Sequence, residues 1–300
     1  MTNRLLDFAD NPAHLSTENG LLVIHKPDQC RQTVPLTDIA AVVTSHRQVT
    51  LTQNLLAALG AAGVILICCD ERHVPASMLL PLDAHFGQAG RFQTQATASL
   101  PLKKRIWREL VRAKIRAQAR TLRRLGLPDP GLEPLSRRVR SGDPGNVEAT
   151  AALRYWPRVF GQQFRRSNDA DPRNALLNYG YAILRGVTAR AVCAAGLHPS
   201  LGLNHRNKYN PFCLADDLME PLRPLIDYSV VQFCCDSPRE HWQLNRTAKL
   251  MLMGAVAGRY GFAGERRTLF DIVGIWAQRL TAVLEGRSRK LGCEPIETES

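Results

Sequence analysis

The stretch LKKRIWRELVRAKIRAQARTLRRLG, residues 102–126, decides how the chain is organised, because it is where a strand-like sequence gives way to a helical one. Six cations recur in it at four-residue spacing: Lys104, Arg108, Arg112, Arg116, Arg120 and Arg124. Residues four apart are neighbours on a helix, so the spacing predicts a slowly turning basic ridge about 30 Å long. The apolar stripe expected to seat this helix consists of Trp107, Val111, Ile115 and Leu122.

The basic ridge predicts an anionic partner. Like charges four residues apart destabilise an isolated helix, and Glu109 is the only acid in the segment. The whole chain carries 39 Lys and Arg against 27 Asp and Glu, a net charge of +12 with a pI of about 9.7. Two interpretations follow: a track for DNA or RNA phosphates, which the charge excess favours, and an ordinary solvated face. The sequence has no zinc-finger spacing, aromatic RNA-recognition motif or phosphate-binding glycine loop, which argues against ATP hydrolysis.

Residues 1–83, on the amino-terminal side, are strand-like. Asn19-Gly20 separates two strand-like runs, 14–18 and 21–25, and predicts a two-residue hairpin turn. The apolar runs 21–24 and 64–69 carry few charges, so we expect their edges to be buried against a second copy of the chain. Residues 84–100 are rich in Gly, Gln, Thr and Ala, and this composition indicates a linker or lid.

The carboxy-terminal side is helical in pattern. Helices are predicted at 147–166, 173–195, 211–222, 239–260 and 268–284. The predicted fold class is therefore α+β, with a small β-rich N-terminal domain (1–83), a linker (84–101) and a larger all-helical domain (102–300). No run approaches the roughly 18 apolar residues of a membrane span, so we expect no membrane partner and a cytoplasmic protein.

Acids in so basic a chain are informative, since they would repel DNA unless they held a cation. Glu148 begins a predicted helix, and His205 lies in the loop sequence GLNHRNKYNPF. Glu220 follows Asp216 and Asp217 at helical spacing, so the three can share one face. A divalent ion between such carboxylates and an imidazole would polarise a phosphate. The alternative is that these residues are ordinary caps, surface acids and a structural histidine.

Three segments carry a resemblance to a known family. They are NVEATAALRYWPRVFGQQFRR (146–166), NALLNYGYAILRG (174–186) and HRNKYNPFCLADDLMEPLRPLID (205–227). In this order, with GLHP at 196–199, they closely resemble the integrase of CRISPR spacer acquisition, the larger protein of the adaptation complex, particularly its type II form. The resemblance covers residues 1 to about 285, and the tail 286–300 matches nothing assignable.

The resemblance implies a site and a reaction. Glu148, His205 and Glu220 match the family's metal ligands, with Mg²⁺ or Mn²⁺ as the ion. Asp217 matches an acid that other branches use for the metal, which leaves it open as a ligand, as a group that supports a ligand, or as a local charge; Glu220 is favoured as the ligand. The implied enzyme is a DNA integrase and endonuclease. In its reaction the 3′-hydroxyl of a short foreign fragment attacks a phosphodiester at a CRISPR repeat, as part of antiviral defence.

The implied partners are double-stranded and branched DNA, a second copy in a homodimer formed through the N-terminal domains, and the small second CRISPR adaptation protein. The six ridge cations are the expected DNA contacts. If the carboxylates are irrelevant to chemistry, the alternative function is a non-enzymatic, basic nucleic-acid-binding scaffold.

Overall fold

The computed structural model describes residues 3–71, 75–81, 85–166, 168 and 170–297. The strands are β1 (Arg4–Phe8), β2 (Ala13–Glu18), β3 (Leu21–His25), β4 (Gln32–Pro35), β5 (Ile39–Thr44), β6 (Val49–Leu51), β7 (Ile65–Cys69), β8 (Pro75–Leu79), β9 (Arg259–Phe262) and β10 (Glu265–Thr268). The helices are α1 (Gln53–Ala61), α2 (Gln88–Thr97), α3 (Leu100–Arg124), α4 (Leu132–Arg137), α5 (Val147–Phe160), α6 (Pro172–Ala194), α7 (Cys213–Met219), α8 (Arg223–Asp236), α9 (Arg246–Ala257) and α10 (Leu269–Leu284). A strand-rich region followed by a helical one confirms the predicted α+β class. None of the described helices is both long enough and apolar enough to cross a membrane.

The predicted hairpin is confirmed as β2 and β3. Asn19 and Gly20 both have positive φ, 49° and 75°, as a type I′ turn requires. The hairpin lies inside a four-stranded sheet of order β4-β3-β2-β6. Strand β3 therefore has a hydrogen-bonded neighbour on each side.

A second sheet, of order β1-β5-β7-β8, joins the strand-rich region to the helices. Its inner strands β5 and β7 are parallel, and alternate side chains point to opposite faces. Val42 and Leu66 enter the core of the strand-rich region. Val43 and Ile67 enter the main helical core. Because this sheet contributes to both cores, the strand-rich region is packed directly on the helices.

The same pairings correct one expectation about edges. The apolar runs 21–24 and 64–69 were expected to be open edges that a second copy covers, but β3 pairs with β2 and β4, and β7 pairs with β5 and β8. Their apolar side chains are buried within the same chain because both faces of these strands are packed. The physical motive for a homodimer at these strands is therefore removed.

The segment predicted as a linker, 84–101, contains a packed helix. Within α2, Gln95 is buried; its Nε2 donates to the carbonyls of His198 and Leu201 at 2.9 and 2.8 Å. Gln95 Oε1 accepts from His198 N at 2.8 Å. The helix thereby fastens the loop that leads to His205. Residues 82–84 lie outside the described residues.

The carboxy-terminal helices follow the predicted order, but α4 and α8 were not predicted, the helix predicted over 147–166 ends at Phe160, and the one predicted over 239–260 begins at Arg246. Helix α6 begins where expected, with Asp171 accepting from Arg173 N at 3.1 Å. The helix predicted over 239–260 ends at Ala257, and the chain turns into the hairpin β9-β10, where the helical domain was expected to be helical throughout. Helix α8, which the sequence analysis missed, occupies residues immediately after the Glu220 segment.

The tail beyond α10 packs on α3. Leu291 is fully buried, and the backbone N–H groups of Leu291 and Gly292 donate to Glu109 Oε2 at 3.0 and 3.3 Å. Arg279 Nη1 donates to the Gly292 carbonyl at 2.6 Å and contacts Glu294 at 2.7 Å. Glu109, the lone acid of the basic segment, is thus used to hold the tail.

Candidate active site

Four elements meet around the residues that the sequence singled out. Helix α3 supplies Lys114, and the first turn of α5 supplies Glu148. The loop before α7 carries His205, and a single 3-10 turn after α7, Glu220–Leu222, carries Glu220. The Lys114 ammonium lies 2.6 Å from Glu148 Oε1 and 2.5 Å from Glu220 Oε2. Two carboxylates that are 72 positions apart in the numbering therefore converge on one point.

Glu148 is positioned by the start of α5. Asp143 accepts from the backbone N–H groups of Val147 and Glu148, at 3.0 and 2.9 Å. This caps the helix and fixes the residue that carries the carboxylate. A negative side chain in the first turn is also favoured by the helix dipole.

Glu220 is the more buried of the two carboxylates, with 5% of its side chain exposed. Burial alone would raise the pKa of Glu220, but the charges of Lys114 and Arg223 outweigh it and lower that pKa. Arg223 Nε lies 2.9 Å from Oε1. Among the described residues, Oε2 has no hydrogen-bond donor in good geometry and is balanced only by the Lys114 charge.

His205 is oriented by Asp217. Its Nδ1 lies 2.6 Å from Asp217 Oδ1, and the ring meets Trp107 edge-on at 5.7 Å between centroids. The hydrogen bond to Asp217 raises the pKa of His205 despite burial, and the charge of Glu220 raises it further. With Nδ1–H donated to the carboxylate, Nε2 is the ring nitrogen left with a free lone pair when the imidazole is neutral.

The Asp217 carboxylate binds the loop that carries His205, through residues 203–205. It is completely buried, and Oδ2 accepts from the N–H groups of Leu203 and Asn204 at 2.6 and 3.0 Å. Oδ1 also accepts from His205 N at 3.2 Å. These contacts show a carboxylate that holds the backbone and ring of His205.

Asp216 has a different partner again. Its carboxylate receives two hydrogen bonds from Arg185, at 2.6 and 3.1 Å, and one from Asn210 Nδ2 at 2.7 Å. The three acids that helical spacing placed on one face thus point to three different partners. Asp216 and Asp217 are adjacent in α7 and leave the helix about 100° apart, and Glu220 lies beyond the end of α7, in a 3-10 turn.

Lys114 is the residue that the sequence analysis missed. It lies seven positions after Trp107 and three after Val111, on the apolar side of α3, where both neighbours are buried. Burial lowers the pKa of Lys114, but the attraction of Glu220 and Glu148 outweighs it and the pKa is raised. A single lysine on an apolar stripe was the available signal for a buried acidic partner.

A second buried cluster supports Arg223. Tyr155 donates to Asp227 Oδ2 at 2.9 Å, and Tyr181 donates to Oδ1. Burial raises the pKa of Asp227 to about 6, although both hydrogen bonds and the nearby Arg223 oppose the rise. The Arg223 guanidinium lies over the Tyr181 ring at 4.7 Å. Tyr181, from the segment 174–186, therefore fixes the arginine that pairs with Glu220.

The donor set fits a hard divalent cation. Its two carboxylates are the ligand type that Mg²⁺ and Mn²⁺ prefer. Within the described ranges, no group of three His, Cys, Asp or Glu side chains stands at metal-binding distances. The Lys114 ammonium lies between Glu148 and Glu220, and the buried Oε2 of Glu220 faces it.

The basic ridge is exposed to different degrees along α3. Lys104, Arg116 and Arg124 are exposed, while the other three ridge cations are half-buried. Arg112 donates to the carbonyls of Arg137 and Val139, at 3.2 and 2.9 Å. Arg124 stacks on Tyr228 at 3.7 Å. A cavity of about 490 Å³ opens beside the ridge; the cations in its lining are Arg105, Arg108, Arg112, Arg116, Arg289 and Lys290.

The middle of the ridge and the carboxylates lie on opposite sides of α3. At 100° per residue, Lys114 is turned about 160° away from Arg112 and Arg116. Lys114 contacts Glu148 and Glu220, whereas Arg116 is exposed. A partner on the ridge therefore contacts a different surface from one at the carboxylates. The cations exposed on the carboxylate side include Arg206 and Lys208, in the loop of His205.

Comparisons with known proteins agree on one family. A family model described as CRISPR associated protein Cas1 matches residues 8–142 and 145–249. The CRISPR-associated endonuclease Cas1 of Neisseria meningitidis serogroup C (strain 8013) is 43% identical over 233 residues, covering 77% of this chain and 76% of the relative.

Two solved structures share the fold. A casposase bound to integration product superposes with a TM-score of 0.77 at 19% identity, covering 99% of this chain and 94% of that one. A chain of a Cas6-RT-Cas1–Cas2 complex gives 0.76 at 20% identity, covering 100% of this chain and 37% of that one. At these identities the likeness shows the fold alone.

Proposed function

Because this chain belongs to the family of CRISPR-associated Cas1 proteins, we propose that it is a divalent-metal-dependent DNA integrase and endonuclease that inserts short foreign fragments as spacers at a CRISPR repeat. The observation that carries the proposal is the convergence of Glu148 and Glu220 on one point. The His205 imidazole lies near enough for the charge of Glu220 to raise its pKa. The endonuclease name of the 43% identical relative supports the same class of enzyme.

The proposed ligands of Mg²⁺ or Mn²⁺ are Glu148, Glu220 and His205 through Nε2. A bound divalent cation would supply polarisation of the scissile phosphodiester and would lower the pKa of the attacking 3′-hydroxyl. The protein holds the ligands in place. Asp217 fixes His205 by accepting from its Nδ1 and backbone N–H, and we assign Asp217 this orienting role instead of a ligand's.

The proposed DNA contacts divide between two surfaces. The ridge of Lys104, Arg108, Arg112, Arg116, Arg120 and Arg124 would bind duplex phosphates without reading sequence. Because it faces away from Lys114, it would hold DNA that flanks the reacting strand. Arg206 and Lys208 are exposed beside His205 and are placed to contact phosphates at the carboxylates.

The proposed assembly is a homodimer that also binds the small second adaptation protein, as the resemblance implies. A solved neighbour of the same fold is named as a complex of Cas1 with Cas2, which supports the second partner. We keep the proposed division into an N-terminal dimerisation domain (1–83), a connecting segment (84–101) and a catalytic domain (102–300). Insertion of a fragment requires that both of its ends are joined to the repeat. This needs two active sites, which a two-fold dimer provides.

The proposed function is tested by integration of a labelled oligonucleotide with a free 3′-hydroxyl into a plasmid that carries a CRISPR repeat, with the small adaptation protein present. We expect a covalent plasmid product with Mg²⁺ or Mn²⁺ and none after chelation. A matched oligonucleotide blocked at its 3′ end is the control. DNA binding without any product or cleavage, under all metal conditions, would favour the scaffold alternative.

The ridge makes a separate prediction. Replacing Arg108, Arg116 and Arg120 with Gln should weaken binding to any duplex sequence. The slope of log K against log salt should fall by roughly 2 to 3, at about 0.9 per phosphate contact. Arg112 is left in place because it holds two backbone carbonyls. Binding is measured by fluorescence anisotropy over a range of salt concentrations.

The matched control removes three charges elsewhere, by replacing Arg31, Arg47 and Arg246 with Gln. These arginines form ion pairs with Glu18, Glu71 and Asp10, three acids of the strand-rich region. The control should leave the salt slope nearly unchanged. Equal slopes in the ridge variant and wild type would mean that the ridge is only a solvated face.

A further inference from the structure

Lys114 differs from every other cation of α3 named above. It lies on the apolar side of the helix, among buried residues such as Leu110, Val111 and Ile115, and 15% of its side chain is exposed. The ridge cations Arg112 and Arg116 lie on the opposite side of the helix, where Arg116 is exposed and Arg112 donates to backbone carbonyls. Burying an ammonium is costly unless it is paired, so the position of Lys114 is explained by the carboxylates that it contacts.

The ammonium stands where a metal ion would have to stand. Nζ lies 2.6 Å from Glu148 Oε1 and 2.5 Å from Glu220 Oε2. A divalent cation binds carboxylate oxygens at about 2.0–2.6 Å. Two cations cannot both approach the same pair of oxygens this closely, because they would overlap and repel each other.

We infer that Lys114 is a built-in competitor for the metal: its ammonium holds Glu148 and Glu220 together without metal and must be displaced when a divalent ion binds. This inference rests on the proposed function, since it takes those two carboxylates as ligands. The lysine side chain has a flexible four-carbon stem, so Nζ can leave while the helix backbone stays in place. Lys114 thus sets the metal affinity of the site without being a ligand.

The competition also explains the charge balance of the site. Arg223 neutralises Glu220 from the side of Oε1, and Lys114 is the cation at Oε2. Removing Lys114 leaves two nearby carboxylates with one cation fewer. The metal-free protein should then be less stable, and a divalent ion should be attracted more strongly.

The test measures Mn²⁺ affinity by isothermal titration calorimetry and the Mn²⁺-induced rise in melting temperature, both without DNA. We expect Lys114→Met to bind Mn²⁺ about tenfold or more tightly than wild type, because no ammonium has to be displaced. Its melting temperature should be lower than that of wild type without metal and should recover with Mn²⁺. Lys103→Met, which removes the same charge from a half-buried position on the same helix, should behave as wild type.

Two further variants keep the inference testable if Lys114→Met folds poorly. Lys114→Gln removes the charge but can still donate hydrogen bonds to the carboxylates, and it should also tighten Mn²⁺ binding. Lys114→Arg keeps the charge and should not. Circular dichroism establishes that each variant is folded.

The outcomes separate this inference from the proposed function. If wild type binds Mn²⁺ and both Lys114→Met and Lys114→Gln bind it equally or more weakly, Lys114 does not compete with the metal. The proposed metal site would still be supported. If Glu148→Ala also leaves Mn²⁺ binding unchanged, the ion binds elsewhere, and both proposals fail. Absence of Mn²⁺ binding in wild type and in every Lys114 variant overturns both as well.

Discussion

Replacing Glu148, His205 or Glu220 with alanine is expected to reduce metal-dependent strand transfer on the order of a hundredfold to a thousandfold, the scale for losing one group that stabilises transition-state charge. Each variant removes a proposed ligand of the metal but none of the arginines that would hold DNA. DNA affinity should therefore stay close to that of wild type. Single-turnover integration assays and anisotropy measurements on the same preparations check both parts.

Glu220→Ala is also expected to lower the free energy of unfolding of the protein. Its carboxylate is buried and balances Lys114 and Arg223. Its loss removes the carboxylate that pairs with Arg223 and leaves Lys114 with Glu148 alone. Glu220→Gln is the matched variant, because it keeps the shape and removes the charge. Near-wild-type turnover in two of the three alanine variants would contradict the assigned site.

Asp217→Asn separates a ligand from an orienting group. An asparagine can still accept from Leu203 N and Asn204 N, but it does not attract a protonated His205 as a carboxylate does. Loss of such a supporting group typically costs 10–100-fold, so we expect a partial defect. A loss as complete as that of Glu220→Ala would place Asp217 among the ligands.

Gly202→Ala is expected to lower strand transfer about a hundredfold, the cost of misplacing a catalytic group by roughly 1 Å. A Cβ at this position would overlap the His205 carbonyl oxygen. It would also lie 2.9 Å from Cys213 Cβ and 3.0 Å from Asp217 Oδ2. The loop would have to move away from Asp217, and His205 would move with it.

Gly254→Ala is the control for this substitution. Gly254 lies within α9, and a Cβ there meets nothing within 4 Å. Alanine is the better helix former by up to about 1 kcal/mol, so this variant should retain activity and melt no lower than wild type. Full activity of Gly202→Ala would show that the loop tolerates displacement and that the position of His205 is not critical.

Local sequence patterns predicted much of the fold. The Asn19-Gly20 turn, the cap at Asp171 and the long helix α3 are all confirmed, because turn geometry and helix ends depend on residues close together in the chain. The long, specific segments at 146–166, 174–186 and 205–227 also identified the family correctly. Local pattern did not predict helix α2 within 84–101, where the composition indicated a linker. Helix α2 is instead held by buried contacts of Gln95 with residues more than a hundred positions away.

The sequence by itself determined that a strand-rich region is followed by a helical one, the family, and the acids and histidine that deserve testing. Only the tertiary structure decided which of them meet. Asp216, Asp217 and Glu220 are nearly adjacent in the chain, yet they contact Arg185, His205 and Lys114 respectively. Lys114 is a cation within a basic segment, and its role became visible only when α5 and the Glu220 turn were packed against α3. The physical reason is that helical spacing fixes the direction in which a side chain leaves its own helix, whereas its partners depend on which other helices the core packs against that face.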